Sequence, residues 1–243
     1  MSKFLIVGAG GFIGGHLISR LLKEKKHEIR AVDLKPLDLW FQKFDNVENF
    51  SLDMQEYENC IKMSKDVDYV MNLACNMGGI GFIENNKAEC MLSVLINTNL
   101  LRSCHLNKIK RYFYSSSACA YNKNLQTDPG IDGLREKDAY PAMPEDGYGW
   151  EKLFSERMCR HFTEDYGVDT RVARFHNIYG PLGTFDGGRE KAPAAICRKV
   201  IEAKIQALES IDIWGDGSQT RSFLYIDDCI DAVLKLFYSD FQD

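Results

Sequence analysis

A glycine-rich turn near the N-terminus constrains the fold of this chain more than any other segment. Residues 3–7 form a short apolar run, and the turn Gly8-Ala9-Gly10-Gly11-Phe12-Ile13-Gly14 follows directly. Beyond the turn, apolar side chains recur at helical spacing as far as Leu22. A strand, a turn of several glycines and a helix in this order are typical of the first unit of a doubly wound parallel sheet.

Strand-like and helix-like patterns alternate along the rest of the first 175 residues. We predict five more strands, at residues 28–32, 47–52, 68–73, 111–115 and 168–175. Helices are predicted between them, at residues 57–64 and 91–106 and from Tyr148 onward. Because strands that alternate with helices pair in parallel, the predicted fold class is α/β, with a Rossmann-type doubly wound parallel sheet at residues 1–175.

The pattern changes in the last part of the chain. We predict a helix at residues 193–208, a short strand at 211–214 and a helix from Asp227. Residues 127–146 are rich in Asp, Gly and Pro, and they are predicted to form a long surface loop. We interpret residues 176–243 as a second, smaller lobe beside the sheet.

The composition argues against several classes of function. The 30 Lys and Arg residues are outnumbered by 35 Asp and Glu, so neither nucleic acid nor an anionic membrane is favoured as a partner. No apolar stretch is long enough for a membrane span, and the N-terminus lacks the pattern of a signal peptide. The eight cysteines are spread singly without a CxxC pair, which predicts reduced thiols, no metal site and a cytoplasmic location.

The glycine turn and the acid that follows it indicate a dinucleotide site. Glycines let the backbone approach a pyrophosphate, whose charge is favoured at a helix N-terminus. Asp33 closes the second strand, where a carboxylate accepts bonds from a ribose diol and repels a 2′-phosphate, so NAD is favoured over NADP. Asp53 ends the third strand and could reach the adenine, or it could cap a helix. The alternative for the whole motif is a structural turn with a solvated acid.

Three further residues suggest chemistry on an alcohol. Tyr148 and Lys152 lie on the same face of the predicted helix, one turn apart. A neighbouring ammonium and a cationic nicotinamide would lower the pKa of the tyrosine, which would make a phenolate accessible as a general base. Ser117 follows the fifth strand and could bond the same substrate hydroxyl. This tyrosine–lysine spacing is common on amphipathic helices, so the prediction depends on the glycine turn and the serine occurring in the same chain.

Several longer stretches carry a family resemblance that spans nearly the whole chain. They are Asn72-Leu73-Ala74, Met77-Gly78-Gly79-Ile80-Gly81-Phe82-Ile83, Ser116-Ser117-Ala118-Cys119, Tyr148-Gly149-x-Glu151-Lys152, Arg174-Phe175-His176-Asn177-Ile178-Tyr179-Gly180-Pro181, residues 187–193 and residues 214–223 apart from position 218. Trp150 departs from the family pattern, which has a smaller apolar residue at this position. In these stretches the chain resembles the extended short-chain dehydrogenase/reductases of the nucleotide-sugar branch. Within that branch it is most similar to the GDP-mannose 3,5-epimerase group.

The resemblance implies an isomerase that oxidises its substrate transiently. Tyr148, helped by Lys152 and Ser117, would deprotonate a sugar hydroxyl while NAD takes a hydride, which leaves a 4-keto sugar. The ketone acidifies the C–H bonds beside it, and Cys119 and Lys191 would exchange protons there from opposite faces of the ring. The implied reaction converts GDP-mannose to GDP-L-galactose or GDP-L-gulose. A small buried core residue is the ordinary alternative for Cys119, and a surface charge is the ordinary alternative for Lys191.

The resemblance also implies binding roles. Around NAD it places Gly8, Gly11, Phe12, Ile13, Gly14, Asp33, Asp53, Leu73, Tyr148 and Lys152. Around the sugar nucleotide it places Gly78, Ser117, Cys119, Asn177, Glu190, Lys191, Lys199, Gln219 and Arg221. Family members continue into a further C-terminal segment, so residues 176–243 are expected to be a partial substrate-binding lobe that is truncated. A homodimer through the helices that flank the sheet is expected from the same resemblance.

Other functions remain open from the sequence. Another nucleotide-sugar epimerase or dehydratase of the same superfamily would share the NAD site. However, a 4,6-dehydratase is expected to carry an Asp-Glu pair where Ala118 and Cys119 stand, and a 4-epimerase has no use for Cys119 with Lys191. The remaining alternative is an NAD-binding protein with weak catalysis. The intact Ser117, Tyr148 and Lys152 argue against it, because a binding protein does not need all three. The sequence does not determine which carbons invert.

Overall fold

The computed structural model describes residues 1–127, 130 and 133–241, and it confirms the predicted α/β class. The strands of the main sheet are β1 (Ser2–Val7), β2 (His27–Asp33), β3 (Glu48–Ser51), β4 (Tyr69–Asn72), β5 (Arg111–Ser117) and β6 (Thr170–Phe175). They pair in parallel in the order β3-β2-β1-β4-β5-β6. The chain therefore changes its winding direction between β1 and β4, as in a doubly wound sheet.

Helices cover both faces of this sheet, which explains why the central strand β1 has a continuous apolar run. Phe4 and Ile6 of β1 belong to the core on one face, Leu5 and Val7 belong to the core on the other, and none of the four is exposed. The helices are α1 (Phe12–Lys23), α2 (Tyr57–Ser64), α3 (Ile80–Asn85), α4 (Lys87–Met91), α5 (Ser93–Leu106), α6 (Tyr148–Tyr166), α7 (Ala192–Ile205) and α8 (Ile226–Tyr238). The first core is closed by α1 and α8, and the second by α2, α5 and α6.

The second lobe contains a small sheet that the sequence does not predict. Two short strands, β7 (Asn177–Tyr179) and β8 (Phe223–Tyr225), pair in parallel. The predicted strand at residues 211–214 is wrong, because this segment makes no strand pairing among the described residues. Its side chains Ile213 and Trp214 are exposed by 58% and 85%, so the apolar run that suggested a strand is not buried.

The predicted loop at residues 127–146 contains a short 3-10 turn at Glu136–Ala139, and another at Lys123–Gln126 precedes it. The Asn122 side-chain amide, before the loop, donates to the Pro141 carbonyl at 3.0 Å. Residues 128, 129, 131 and 132 of this loop, and residues 242 and 243 of the predicted lobe, lie outside the described residues.

The carboxyl ends of the parallel strands bring the predicted cofactor residues to one edge of the sheet. Gly8 follows β1, Asp33 ends β2, Leu73 follows β4 and Ser117 ends β5. This edge, on either side of the point where the winding changes direction, is where ligands bind in open α/β sheets. Within the described part of the chain, no helix combines the length and the apolar character that a bilayer crossing requires.

Candidate active site

A cavity of about 1520 Å³ opens along this edge of the sheet. Its wall is formed by the ends of the strands, the start of α6 and the region between β6 and α7. The predicted site residues that line it are Gly8, Gly11, Phe12, Ile13, Gly14, Asp33, Asp53, Leu73, Ser117, Cys119, Tyr148, Asn177 and Lys191. The cavity has room for a dinucleotide together with a second ligand beside it.

The glycine turn is built so that a ligand can approach the backbone closely. Gly8 has a φ of +84°, and a Cβ atom there would lie 2.8 Å from the Ala74 nitrogen. A Cβ atom on Gly14 would lie 2.3 Å from the Gly8 carbonyl oxygen. Among the described residues, none caps the start of α1 with its side chain, and the first turn of α1 has no acidic residue. The positive end of α1 is therefore available to a phosphate.

Asp33 is held at the end of β2 by backbone amides. Its Oδ2 accepts a hydrogen bond from the Gly10 amide at 3.0 Å, and its Oδ1 accepts one from the Lys35 amide at 3.0 Å. These bonds orient the carboxylate at the cavity wall, where its remaining lone pairs can accept bonds from a diol. Asp53 accepts a bond from the Gln55 amide at 2.8 Å and also lines the cavity, so it organises the approach to α2 as well.

Tyr148 and Lys152 share one site at the start of α6. The Lys152 side chain is 1% exposed. Its Nζ donates to the Tyr114 hydroxyl and to the Ser115 carbonyl, each at 3.1 Å. The same Nζ lies 5.4 Å from the centre of the Tyr148 ring. The ammonium is thus fixed against the phenol by bonds to β5, and α6 supplies both side chains from one face.

Burial and the Lys152 charge act on the pKa of Tyr148 in opposite directions. Burial raises the pKa of this phenol well above its ordinary value, and Cys75 raises it further, while Lys152 lowers it. The expectation of a lowered pKa considers the charges, but the desolvation of a side chain that is only 5% exposed outweighs them. Burial therefore favours the neutral phenol, and a further positive charge beside it would favour the phenolate.

Cys119 and Lys191 reach the same cavity from different elements. Cys119 lies in the 3-10 turn Ala118–Ala120 directly after β5, and its amide donates to the Ser117 Oγ at 3.2 Å. Burial raises the pKa of the Cys119 thiol, and the Ser117 hydroxyl and the charge of Lys191 offset part of this shift. Lys191 precedes α7, and its Nζ lies 3.5 Å from the Gly78 carbonyl oxygen.

Two predicted residues lie just behind the cavity wall. A Cβ atom on Gly78 would lie 2.7 Å from the Cβ of Phe82, so a larger residue would not fit without a shift. The Glu190 carboxylate pairs with Arg198 at 3.4 Å, and its side chain is 12% exposed. Both residues adjoin Lys191 and support the wall from which it reaches the cavity.

Three predicted sugar-nucleotide residues are not among those that line the cavity. Lys199, Gln219 and Arg221 instead donate to oxygen atoms of residues 212, 216 and 220, respectively. Gln219 and Arg221 are exposed, and Lys199 is partly exposed. Their predicted binding role stays a prediction.

Two residues beside Tyr148 are not predicted as site residues. Cys75 lines the cavity, and its Sγ lies 4.0 Å from the Tyr148 hydroxyl. Glu151 is 2% exposed, and its Oε2 lies 3.4 Å from the Lys152 Nζ. Glu151 could have been predicted from the sequence, because it directly precedes Lys152 in the helical motif. No sequence pattern predicts a role for Cys75. Among the described residues, no group of three or more His, Cys, Asp or Glu side chains is arranged to hold a metal ion.

The family model described as the NAD dependent epimerase/dehydratase family matches residues 4–241. The chain belongs to this family. The match covers both the main sheet and the second lobe, so the cavity between them lies within the family's fold. NAD is the cofactor of this family, in agreement with the glycine turn and Asp33 at the cavity wall.

Individual proteins of known name are similar to this chain over nearly its whole length. The chain is 47% identical over 242 residues to a GDP-mannose 3,5-epimerase 1 from Oryza sativa subsp. indica, a match that covers 99% of this chain and 62% of that protein. It is 46% identical to the GDP-mannose 3,5-epimerase of Arabidopsis thaliana, covering 99% of this chain and 63% of that protein. The chain thus spans less than two thirds of the length of these curated relatives. A solved UDP-N-acetylglucosamine 4-epimerase from Methanobrevibacter ruminantium shares the fold, with a TM-score of 0.83 at 24% identity over 99% of this chain and 74% of that one.

Proposed function

We propose that this chain carries the catalytic part of an NAD-dependent epimerase that converts GDP-mannose to GDP-L-galactose or GDP-L-gulose. The observation that supports the proposal most strongly is that Cys119 and Lys191 line the same cavity as Ser117 and Tyr148. A dehydrogenase needs only the second pair. Two additional proton carriers beside it suit a reaction that also inverts carbon centres. The relatives at 46–47% identity are enzymes with this name.

The residues at the cavity wall fit NAD. The glycine turn packs closely against residues 73–74, and it leads into the uncapped start of α1, which would stabilise the charge of a pyrophosphate. The Asp33 carboxylate is oriented to accept hydrogen bonds from a ribose diol. Bound NAD would accept a hydride from the sugar carbon that bears the reacting hydroxyl and return it at the end of the reaction.

The protein's own residues carry the proton transfers. Tyr148, ionised with the help of Lys152, accepts the proton of the sugar hydroxyl, and Ser117 orients that hydroxyl through Oγ. The resulting ketone acidifies the hydrogens on the two flanking carbons. At each carbon one group removes a proton and a group on the other face returns one, which inverts the centre. Burial raises the pKa of the Cys119 thiol, which suits Cys119 to give a proton, and Lys191 on a different element is the complementary group.

The second lobe and the outer helices support two further parts of the proposal. The described residues 176–241 form part of a substrate-binding lobe, which is supported by Asn177 and Lys191 at the cavity wall. Ile201, Ile205 and Trp214 are exposed by 59%, 79% and 85% and give this lobe an apolar surface. A homodimer forms through α4, α5 and α6, where Leu95 and Phe154 are exposed by 41% and 50%.

All eight cysteines are free thiols, which supports a reducing, cytoplasmic location.

Product analysis tests this proposal. The protein is incubated with NAD and GDP-mannose, and in parallel with UDP-glucose, and the nucleotide sugars are identified by NMR. We expect new GDP-hexoses from GDP-mannose and no conversion of UDP-glucose. Cys119→Ala is expected to abolish conversion, whereas Cys229→Ala, a buried cysteine of α8 away from the cavity, keeps it. Conversion of UDP-glucose alone would favour a 4-epimerase. Unchanged activity of Cys119→Ala would remove the central support.

A further inference from the structure

A buried carboxylate lies directly beside the catalytic lysine. Glu151 and Lys152 are neighbours on α6, and both side chains are 1% exposed. The Glu151 Oε2 lies 3.4 Å from the Lys152 Nζ. A carboxylate withdrawn from water so completely needs compensation by hydrogen bonds and an opposite charge. The proposed chemistry requires Tyr148 and Lys152 and leaves Glu151 without a role.

The two oxygens of this carboxylate have different surroundings. Oε1 accepts a hydrogen bond from the Tyr114 hydroxyl at 2.9 Å and another from the Ser155 hydroxyl at 3.0 Å. Oε2 is buried and has no hydrogen-bond partner among the described residues, and Lys152 is the cation beside it. The bonds to Oε1 fix the carboxylate in one orientation, which leaves Oε2 directed toward the ammonium.

Lys152 is held between this carboxylate and the catalytic phenol. Its Nζ lies 3.4 Å from Glu151, 3.1 Å from the Tyr114 hydroxyl and 5.4 Å from the centre of the Tyr148 ring. Burial alone would lower the pKa of Lys152, yet Cys75, Glu151 and Tyr148 together raise it above its ordinary value. Lys152 therefore remains an ammonium, and its charge is shared between a carboxylate and a phenol.

We propose that Glu151 is a positioning residue that neutralises Lys152, so that Tyr148 remains a phenol until the positive charge of the bound cofactor arrives. With Glu151 present, the buried pair carries no net charge, and the ammonium alone cannot ionise the phenol. Removing the negative charge leaves an uncompensated ammonium, which favours the phenolate. The proposal deepens the proposed function and rests on it for the role of Tyr148. It makes ionisation of the tyrosine depend on cofactor binding.

The other titratable groups near this pair come from four elements. Tyr148 is faced by Lys152 on its own helix, by Tyr114 of β5, by Cys75 after β4 and by Cys119 after β5. Glu151 and Lys152 also influence the Cys159 thiol of α6. Among these, Glu151 is the group whose carboxylate lies within ion-pair distance of Lys152, at 3.4 Å, and burial raises the pKa of Tyr114, Cys119 and Cys159.

A spectroscopic titration tests the proposal. Tyrosinate absorbance is followed against pH for the protein with and without NAD, and the signal of Tyr148 is isolated by subtracting the matching Tyr148→Phe variant. We expect Glu151→Gln to lower the midpoint of the Tyr148 titration by about one pH unit or more. A shift of about one unit corresponds to a tenfold rise in the phenolate fraction at pH values below the midpoint. We also expect the double variant Glu151→Gln, Lys152→Gln, which removes both charges, to return the midpoint toward that of the wild type.

Matched variants separate the charge from a structural role. Ser155→Ala removes one hydrogen bond to Oε1 and keeps the charge, so it lowers the unfolding temperature and leaves the midpoint in place. Glu151→Asp keeps the charge and also retains the wild-type midpoint. A Tyr148 midpoint that is unchanged or higher in Glu151→Gln overturns the proposal. A lower Tyr148 midpoint in Ser155→Ala also overturns it, and this second variant tests the role of the charge even if Glu151→Gln fails to fold. The titration uses no sugar nucleotide, so failure to convert GDP-mannose would contradict only the proposed function.

Discussion

The contact between Gly149 and the Cys119 turn yields the sharpest structural prediction. Gly149 lies in the first turn of α6, and a Cβ atom there would lie 2.3 Å from the Cys119 carbonyl oxygen, whereas ordinary contact begins at 3.4 Å. In Gly149→Ala the start of α6 must therefore move away from the Cys119 turn by about 1 Å. A displacement of this size at reacting groups lowers a rate about 100-fold, or about 2.7 kcal/mol. The overpacking costs about 1–3 kcal/mol of unfolding free energy.

The assay for Gly149→Ala compares the initial rate of GDP-mannose conversion with NAD affinity measured by fluorescence titration. We expect the rate to fall about 100-fold while NAD affinity changes by less than about threefold, because Gly149 is not among the residues that line the cavity. Gly81→Ala is the matched control, since Gly81 also lies in a helix and a Cβ atom there meets nothing within 4 Å. A Gly149→Ala rate equal to that of Gly81→Ala would refute the close approach of Tyr148 and Cys119 as a requirement for catalysis.

Three further predictions concern single side chains. Cys119→Ala and Lys191→Met should each abolish proton exchange at carbon and leave NAD affinity within about twofold, as fluorescence titration would show; a parallel loss of NAD binding would indicate a structural role. Asp33→Asn should lower the ratio of NAD to NADP affinity at least about tenfold, and an unchanged ratio would contradict its ribose role. Desolvation would raise the pKa of Asp169, but hydrogen bonds from two arginines lower this pKa in the folded protein. Ionised Asp169 therefore stabilises the fold at pH values above its unfolded pKa, and this stabilisation is lost as the pH falls through its lower folded pKa. Asp169→Asn should therefore cost about 2 kcal/mol at pH 7 in urea unfolding and progressively less toward pH 3, and a pH-independent loss would contradict this assignment.

The main sheet could be predicted because its central strands, β1, β4 and β5, are largely buried. The run from Phe4 to Val7 is apolar at every position, and the same physical reason lets the other strands be located to within a few residues. The helix at Tyr57–Ser64 agrees with its prediction at both ends. Strands β7 and β8 could not be predicted, because each has only three residues and exposes side chains such as Tyr179 and Phe223 by 39% and 48%.

The positions of site residues were more predictable than their acidity. Parallel strands end at one edge, so residues that follow strand ends, such as Asp33 and Ser117, could be placed together from the sequence. The direction of the Tyr148 pKa shift could not be predicted from the sequence. It depends on burial of Tyr148 by α4 and by residues 73–79 between β4 and α3, which pack against Tyr148 only in the folded chain. Cys75 lies in the segment between β4 and α3, and no sequence pattern predicts its contact with Tyr148. The role of Glu151 follows from its contact with Lys152, which the folded structure shows.

Isotope exchange during turnover tests most directly whether one cavity performs both hydride and proton transfer. The protein converts GDP-mannose with NAD in deuterated water, and the recovered nucleotide sugars are examined by NMR. We predict solvent deuterium at both carbons that flank the oxidised one, and none at the oxidised carbon, whose hydrogen is retained. Bound NAD without deuterium at either flanking carbon would contradict the assignment of Cys119 and Lys191, and solvent deuterium at the oxidised carbon would contradict hydride transfer.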